Sequence, residues 1–160
     1  MIDRYDPVAR YLHWAVVLLI LVQFSSAWSW DLFEKGTTGR FVLFQCHLYS
    51  GYTLLALALL RIVWRLTHRP PPLPAGSSRL VEIASHAVHG LLYLAILVQP
   101  ILGIVMITAF GKSLGRWPNE AHELIADGLL VLVGLHVAGA LFHQFVLRDR
   151  LIERMLPARR

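Results

Sequence analysis

The chain has 160 residues, of which 56% are apolar and only 16% charged, and its net charge is +5. Disordered chains lack enough apolar surface to collapse, and a soluble domain of this length could not cover so much of it, so both classes are excluded. One cysteine excludes an internal disulfide framework and a thiolate metal cluster built from this chain alone. These numbers leave a single-domain integral membrane protein whose eight histidines must be explained.

Lys, Arg, Asp and Glu are absent between Tyr11 and Trp30, between Phe41 and Leu60, between Ile83 and Phe110, and between Gly128 and Leu147. Each run has roughly the 20 residues that cross a ~30 Å hydrocarbon core as a helix. In lipid the backbone must satisfy its own hydrogen bonds, and no strand-like alternation is visible. The chain is therefore predicted to be an all-α membrane protein, one domain over 1–160, with transmembrane helices at 11–30, 43–65, 84–108 and 122–146. A short loop with Gly36 and Gly39 joins the first two. Pro70, Pro71, Pro72, Pro74 and Gly76 end the second helix. Gly111, Gly115 and Pro118 separate the last two. Trp14, Trp28, Trp30, Trp64 and Trp117 fall near span ends, where indole rings favour the interface.

The side with both termini and the second loop carries eleven basic residues, among them Arg4, Arg10, Arg61, Arg65, Arg69, Arg79, Arg159 and Arg160. The other side carries four, Lys35, Arg40, Lys112 and Arg116. The positive-inside rule then puts both termini in the cytoplasm, with the excess charge facing anionic membrane lipid. Basic residues that flank spans do not form a nucleic-acid surface, so no nucleic-acid partner is expected. Trp28-Ser29-Trp30 is a poor cleavage site and the first run is long for a signal peptide, so the first helix is expected to be retained.

Histidines inside spans are costly and mark function. His13 lies near the inner start of the first helix and His47 near the outer start of the second. His122 opens the fourth helix, and His136 follows 14 residues later. That spacing is ~21 Å along the axis and nearly four full turns, so both point the same way. His122 is then level with His47, and His136 shares the inner half with His13. Two facing imidazoles at each of two depths suit haem iron, which takes one axial ligand from each side of its ring. Two imidazoles leave no position open for oxygen, which favours electron transfer. Without a Cys-x-x-Cys-His motif the haem would not be covalently attached. A zinc site needs three or four ligands around one point, which pairs this far apart do not provide. Gly51, Gly134 and Gly139 could admit a flat ring or simply pack helices. Arg61 lies 14 residues after His47, at the inner depth, where it either pairs with a haem propionate or snorkels to the interface. His86, His89 and His143 lie at the inner interface, and His68 is in a Pro-rich loop.

The segments Arg10-Tyr11-Leu12-His13-Trp14, His47 with Gly51, Arg61-Ile62-Val63-Trp64-Arg65, Ser85-His86-Ala87-Val88-His89, His122-Glu123, Gly134-Leu135-His136 and Arg154-Met155-Leu156-Pro157 resemble the prokaryotic cytochrome b561 family nearly end to end. The resemblance implies a four-helix bundle enclosing two haem b groups, with His13 and His136 on the inner iron, His47 and His122 on the outer, and Arg61 as a cofactor contact. It implies an inner-membrane oxidoreductase. As in the family's superoxide oxidases, electrons would pass from superoxide at the periplasmic face to ubiquinone near the cytoplasmic haem. His89 and His143, and more weakly His86, would then serve the quinone, where an imidazole can bond a carbonyl and deliver a proton. Lys112 and Arg116 could attract the anion. Two alternatives remain open. One is the cytochrome b anchor subunit of a hydrogenase or dehydrogenase, with a redox partner subunit. The other is a His-lined metal-ion transporter.

Overall fold

The computed structural model describes residues 4–73 and 77–157. Pro74, Gly76, Arg159 and Arg160 lie outside the described residues. The four apolar runs become four long helices: α1 (Pro7–Trp28), α2 (Thr38–Thr67), α3 (Arg79–Ile107) and α5 (Trp117–Leu141), with a short α4 (Ala109–Ser113) between the last two. A 3-10 turn (Ser29–Leu32) extends α1, a π-helical turn (Phe142–Val146) extends α5, and a second 3-10 turn (Leu151–Met155) follows. No strand occurs among the described residues.

All four long helices start several residues before the charge-free runs, and polar caps set three of those starts. The side chains of Asp6, Thr37 and Ser78 accept from the backbone N–H groups of Ala9, Arg40 and Val81. Pro7 takes the first helical position of α1, where its missing N–H does no harm. A helix of 30 residues is ~45 Å long, so α2 projects beyond the hydrocarbon. Pro100 sits buried inside α3, a position that membrane helices tolerate because neighbouring groups satisfy the freed carbonyl.

Val16, Leu54, Ala58, Ala95, Ile96 and Leu129 form the packed centre, drawn from all four long helices. Leu18, Leu59, Leu94 and Val131 point outward and are exposed, an apolar surface that suits a lipid surround. Helices α1 and α2 pack as one hairpin and α3 and α5 as another, with α2 against α3 between them.

One end of the bundle carries both termini, and there the last segment is tied to the first. The carbonyl of Leu156 accepts from Arg4 Nη1 (3.0 Å) and Arg10 Nη1 (2.7 Å), and that of Met155 from Trp14 Nε1 (2.9 Å). Asp6 joins the same end by accepting from Trp64 Nε1 at 3.1 Å. Burial opposes ionisation of Asp6. The amides of Ala9 and Val8, the Trp64 indole and the nearby His68 outweigh that, so the carboxyl titrates below its ordinary value.

Candidate functional site

Two pairs of imidazoles face each other across the bundle. Nearer the termini, the ring centres of His13 (α1) and His136 (α5) are 6.2 Å apart, with planes at 65°. At the far level, those of His47 (α2) and His122 (α5) are 6.3 Å apart at 70°. The two separations agree within 0.1 Å. A metal–imidazole bond is about 2 Å long, so two imidazoles on opposite sides of one metal ion have centres about 6 Å apart. Both pairs meet that requirement.

Hydrogen bonds fix which nitrogen each far-level ring presents. His47 Nδ1–H donates to the Gln23 carbonyl (3.2 Å), with Ser26 Oγ at 3.3 Å. His122 Nδ1–H donates to the Gln99 carbonyl (3.1 Å). A carbonyl only accepts, so the proton is on Nδ1 and the Nε2 lone pair is free. Haem- and metal-ligating histidines are oriented in this way. At the near level, His13 Nδ1 is buried without a hydrogen-bond partner, and the ring meets Trp14 edge-on at 5.3 Å.

The near level holds more than one pair. His89 reaches within 5.0 Å of His136, and its Nδ1–H donates to the Ser85 carbonyl at 2.7 Å. That separation is too short to admit a metal between the rings, so His89 is a neighbour of the pair and not a third ligand. A crevice opens from this level towards the termini, lined by Arg61, Arg65, Tyr93, His89, Tyr5 and Met155 among others. The Arg61 and Arg65 guanidiniums lie 5.4 and 5.7 Å from the centre of the Tyr93 ring. Arg61 is thus placed to meet an anionic group at the depth of His13 and His136.

His143 is buried, and its Nδ1 bonds the Asp149 carboxylate at 2.5 Å. The π-helical turn and the left-handed backbone of Arg148 (φ 54°) and Arg150 (φ 62°) bring that carboxylate back to the ring. His86 lies apart on the surface, 3.9 Å from Glu82, with its side chain 67% exposed. His68 stacks on Trp64 at 3.8 Å. At the far end, Trp30 packs 5.4 Å from His47 and floors a crevice with Thr37, Thr38 and Arg40. Arg116 is paired with Glu120 at 3.4 Å. Gly51 makes room for Gln23 Nε2, while a Cβ on Gly134 or Gly139 would meet no atom within 4 Å. Among the described residues no three His, Cys, Asp or Glu side chains converge on one point, so the donors occur as pairs.

Gln23, Gln99, Trp30, Tyr93 and Asp149 were not foreseen from the sequence. Only the two glutamines carried a signal: each is a polar residue within an uninterrupted apolar run.

Comparison with known proteins finds relatives over nearly the whole chain. A cytochrome b562 of Cereibacter sphaeroides is 33% identical over 97% of the chain and 96% of its own length. A probable superoxide oxidase, CybB, of Yersinia pestis is 27% identical over 100% of the chain and 99% of its own length. Cytochrome b561 homolog 1 of Escherichia coli K12 is 26% identical, covering 99% of both. The family model for prokaryotic cytochrome b561 matches residues 4–158. Four apolar helices, paired imidazoles and a match over nearly the whole chain lead to one conclusion: this is a member of the prokaryotic cytochrome b561 family, multi-pass membrane proteins that bind b-type haem and transfer electrons.

Proposed function

We propose that the chain binds two b haems and carries electrons across the bacterial inner membrane, oxidising superoxide at the periplasmic face and reducing ubiquinone at the cytoplasmic end. The observation that carries this reading is the pair of matched His–His separations, 6.2 and 6.3 Å, at two depths. When bound, each haem supplies a one-electron ferric/ferrous couple. His47 with His122, and His13 with His136, would hold these two groups through their imidazoles. Arg61 would meet the propionates of the inner haem. The positive-inside rule makes the terminal end cytoplasmic.

Superoxide as donor is supported by the name of the Yersinia pestis relative and by the chemistry of the far crevice. Arg40 lies there beside Trp30, and Trp30 packs against His47. Overall, two superoxide anions, one ubiquinone and two protons would give two oxygen molecules and one ubiquinol, the quinone taking its electrons and protons at the opposite end. His89 and His143 each commit Nδ1 to an oxygen acceptor, so a proton taken up at Nε2 is the one each would donate to a quinone carbonyl and pass on to it. His143 is the better held, because Asp149 fixes its tautomer.

The test is haem stoichiometry and a reduced-minus-oxidised spectrum on the purified protein, followed by ubiquinone reduction with superoxide as sole donor. Two haems per chain and superoxide-dependent ubiquinol formation are expected. Two haems without that activity, together with a copurifying soluble redox subunit, would turn the reading to an anchor subunit.

A further inference from the structure

Two stretches of the chain match each other. Leu18-Leu19-Ile20-Leu21-Val22-Gln23 on α1 and Leu94-Ala95-Ile96-Leu97-Val98-Gln99 on α3 agree at five of six positions. Ten residues before each glutamine stands a histidine, His13 or His89. After them, at 24 and 23 residues, come His47 and His122. Seven residues further, Leu54 and Leu129 are both 4% exposed. The chain is thus a repeat of one two-helix hairpin, α1–α2 and α3–α5.

The bonds repeat with the residues. Gln23 accepts from the His47 ring through its backbone carbonyl at 3.2 Å, and its Nε2 donates back to the His47 carbonyl at 2.8 Å. Gln99 does the same with His122, at 3.1 and 2.9 Å. Each glutamine therefore grips the facing histidine twice, once on the ring and once on the backbone. Glycines leave the space: a Cβ on Gly51 would meet Gln23 Nε2 at 3.3 Å, and one on Gly103 would meet His122 Cε1 at 3.2 Å.

We propose that Gln23 and Gln99 are matched positioning residues, one per repeat, that fix the rings of His47 and His122 so that both Nε2 atoms address one iron. This rests on the far-level histidines being a ligand pair. The side-chain amide ties the helix turn that carries the histidine to its neighbour, which keeps the ring Nδ1–H on its carbonyl. That bond raises the basicity of Nε2 and favours ferric iron. The near level lacks the device. His13 Nδ1 has no such partner, and Arg61 stands where the repeat would place a counterpart of His136. The effect of the glutamines is thus confined to the far haem.

The experiment uses the full-length haem-loaded protein and the variants Gln23→Met and Gln99→Met, which keep side-chain length and lose the donor. Redox titration, the low-spin EPR signal and haem per chain are read, with His47→Ala and His122→Ala identifying the far haem. Each Met variant is expected to weaken the far haem about 10–100-fold. Its midpoint rises by about 59 mV for each tenfold borne by the ferric form alone, while the near haem keeps its potential and signal. If a Met variant does not accumulate, Gly51→Ala presses on the same amide and moves the same haem in the same direction. A shift in the near haem, or no shift in either, overturns the assignment of the glutamines. Removal of different haems by His47→Ala and His122→Ala overturns the ligand pair itself, and shows this before any glutamine variant is read.

Discussion

A half-buried imidazole that donates Nδ1–H to a carbonyl has a single lone pair left, and the bundle aims two of these at each other at the far level. His47→Ala and His122→Ala should each lower haem per chain from two to one, with loss of the same spectral component. His13→Ala and His136→Ala should remove the other; a pyridine haemochrome assay with low-temperature α-band spectra checks both. Asp149 matters through His143. Asparagine there no longer fixes the tautomer, so Asp149→Asn should lower the rate of quinone reduction about 10–100-fold and leave the haem spectrum unchanged, as a stopped-flow assay with pre-reduced protein would show. The depths of His13, His47, His122 and His136 were legible in the sequence, because the helical rise converts a spacing of 14 into distance and face. Asp149 was not, because its six-residue separation from His143 runs through a π-helical turn and two left-handed arginines, which follow no helical period. The glutamines were hidden for a different reason: which way a polar residue points in an apolar run depends on helix rotation, set by packing with the neighbour.

At the scale of the element, helix ends are governed by caps and the spans by lipid. Charge-free runs therefore revealed four helices but placed all four starts four or five residues late, at 11, 43, 84 and 122 instead of Pro7, Thr38, Arg79 and Trp117. Asp6 shows how much such an end can carry, since it caps α1 and also holds Trp64 of α2. Asp6→Ala should cost about 1 kcal/mol or somewhat more, read as a lower Tm in detergent. Its carboxyl has a depressed folded-state pKa. The contribution is therefore fully present above the unfolded carboxylate value near pH 4 and disappears as pH falls through the lower folded one. The Tm gap between wild type and Asp6→Ala should stay constant from about pH 8 to 5 and close in stronger acid. The C-terminal turn fastened to Arg4, Arg10 and Trp14 was marked only by the family likeness of Arg154-Met155-Leu156-Pro157, and its contacts were hidden because its bonds are made by backbone carbonyls.

For the whole molecule, the uneven distribution of arginine predicts which side of the proposed electron path faces the cytoplasm. Reporter fusions at either terminus should behave as cytoplasmic, with a fluorescent protein active and alkaline phosphatase inactive; the opposite pattern would reverse donor and acceptor sides. Each histidine pair also takes one member from the first hairpin and one from the second: His47 with His122, and His13 with His136. Haem held by these pairs would thus clasp two halves that are otherwise joined by the α2–α3 packing, the connecting loop and the C-terminal segment fastened to Arg4, Arg10 and Trp14. A ribosome that has released only the first hairpin has made half of each clasp, so haem capture must wait for the second. Binding would then stabilise the assembled bundle with the logarithm of free haem above its dissociation constant. In a haem-starved cell such a protein is short of its fold as well as its electrons, and its abundance becomes a gauge of the cell's haem.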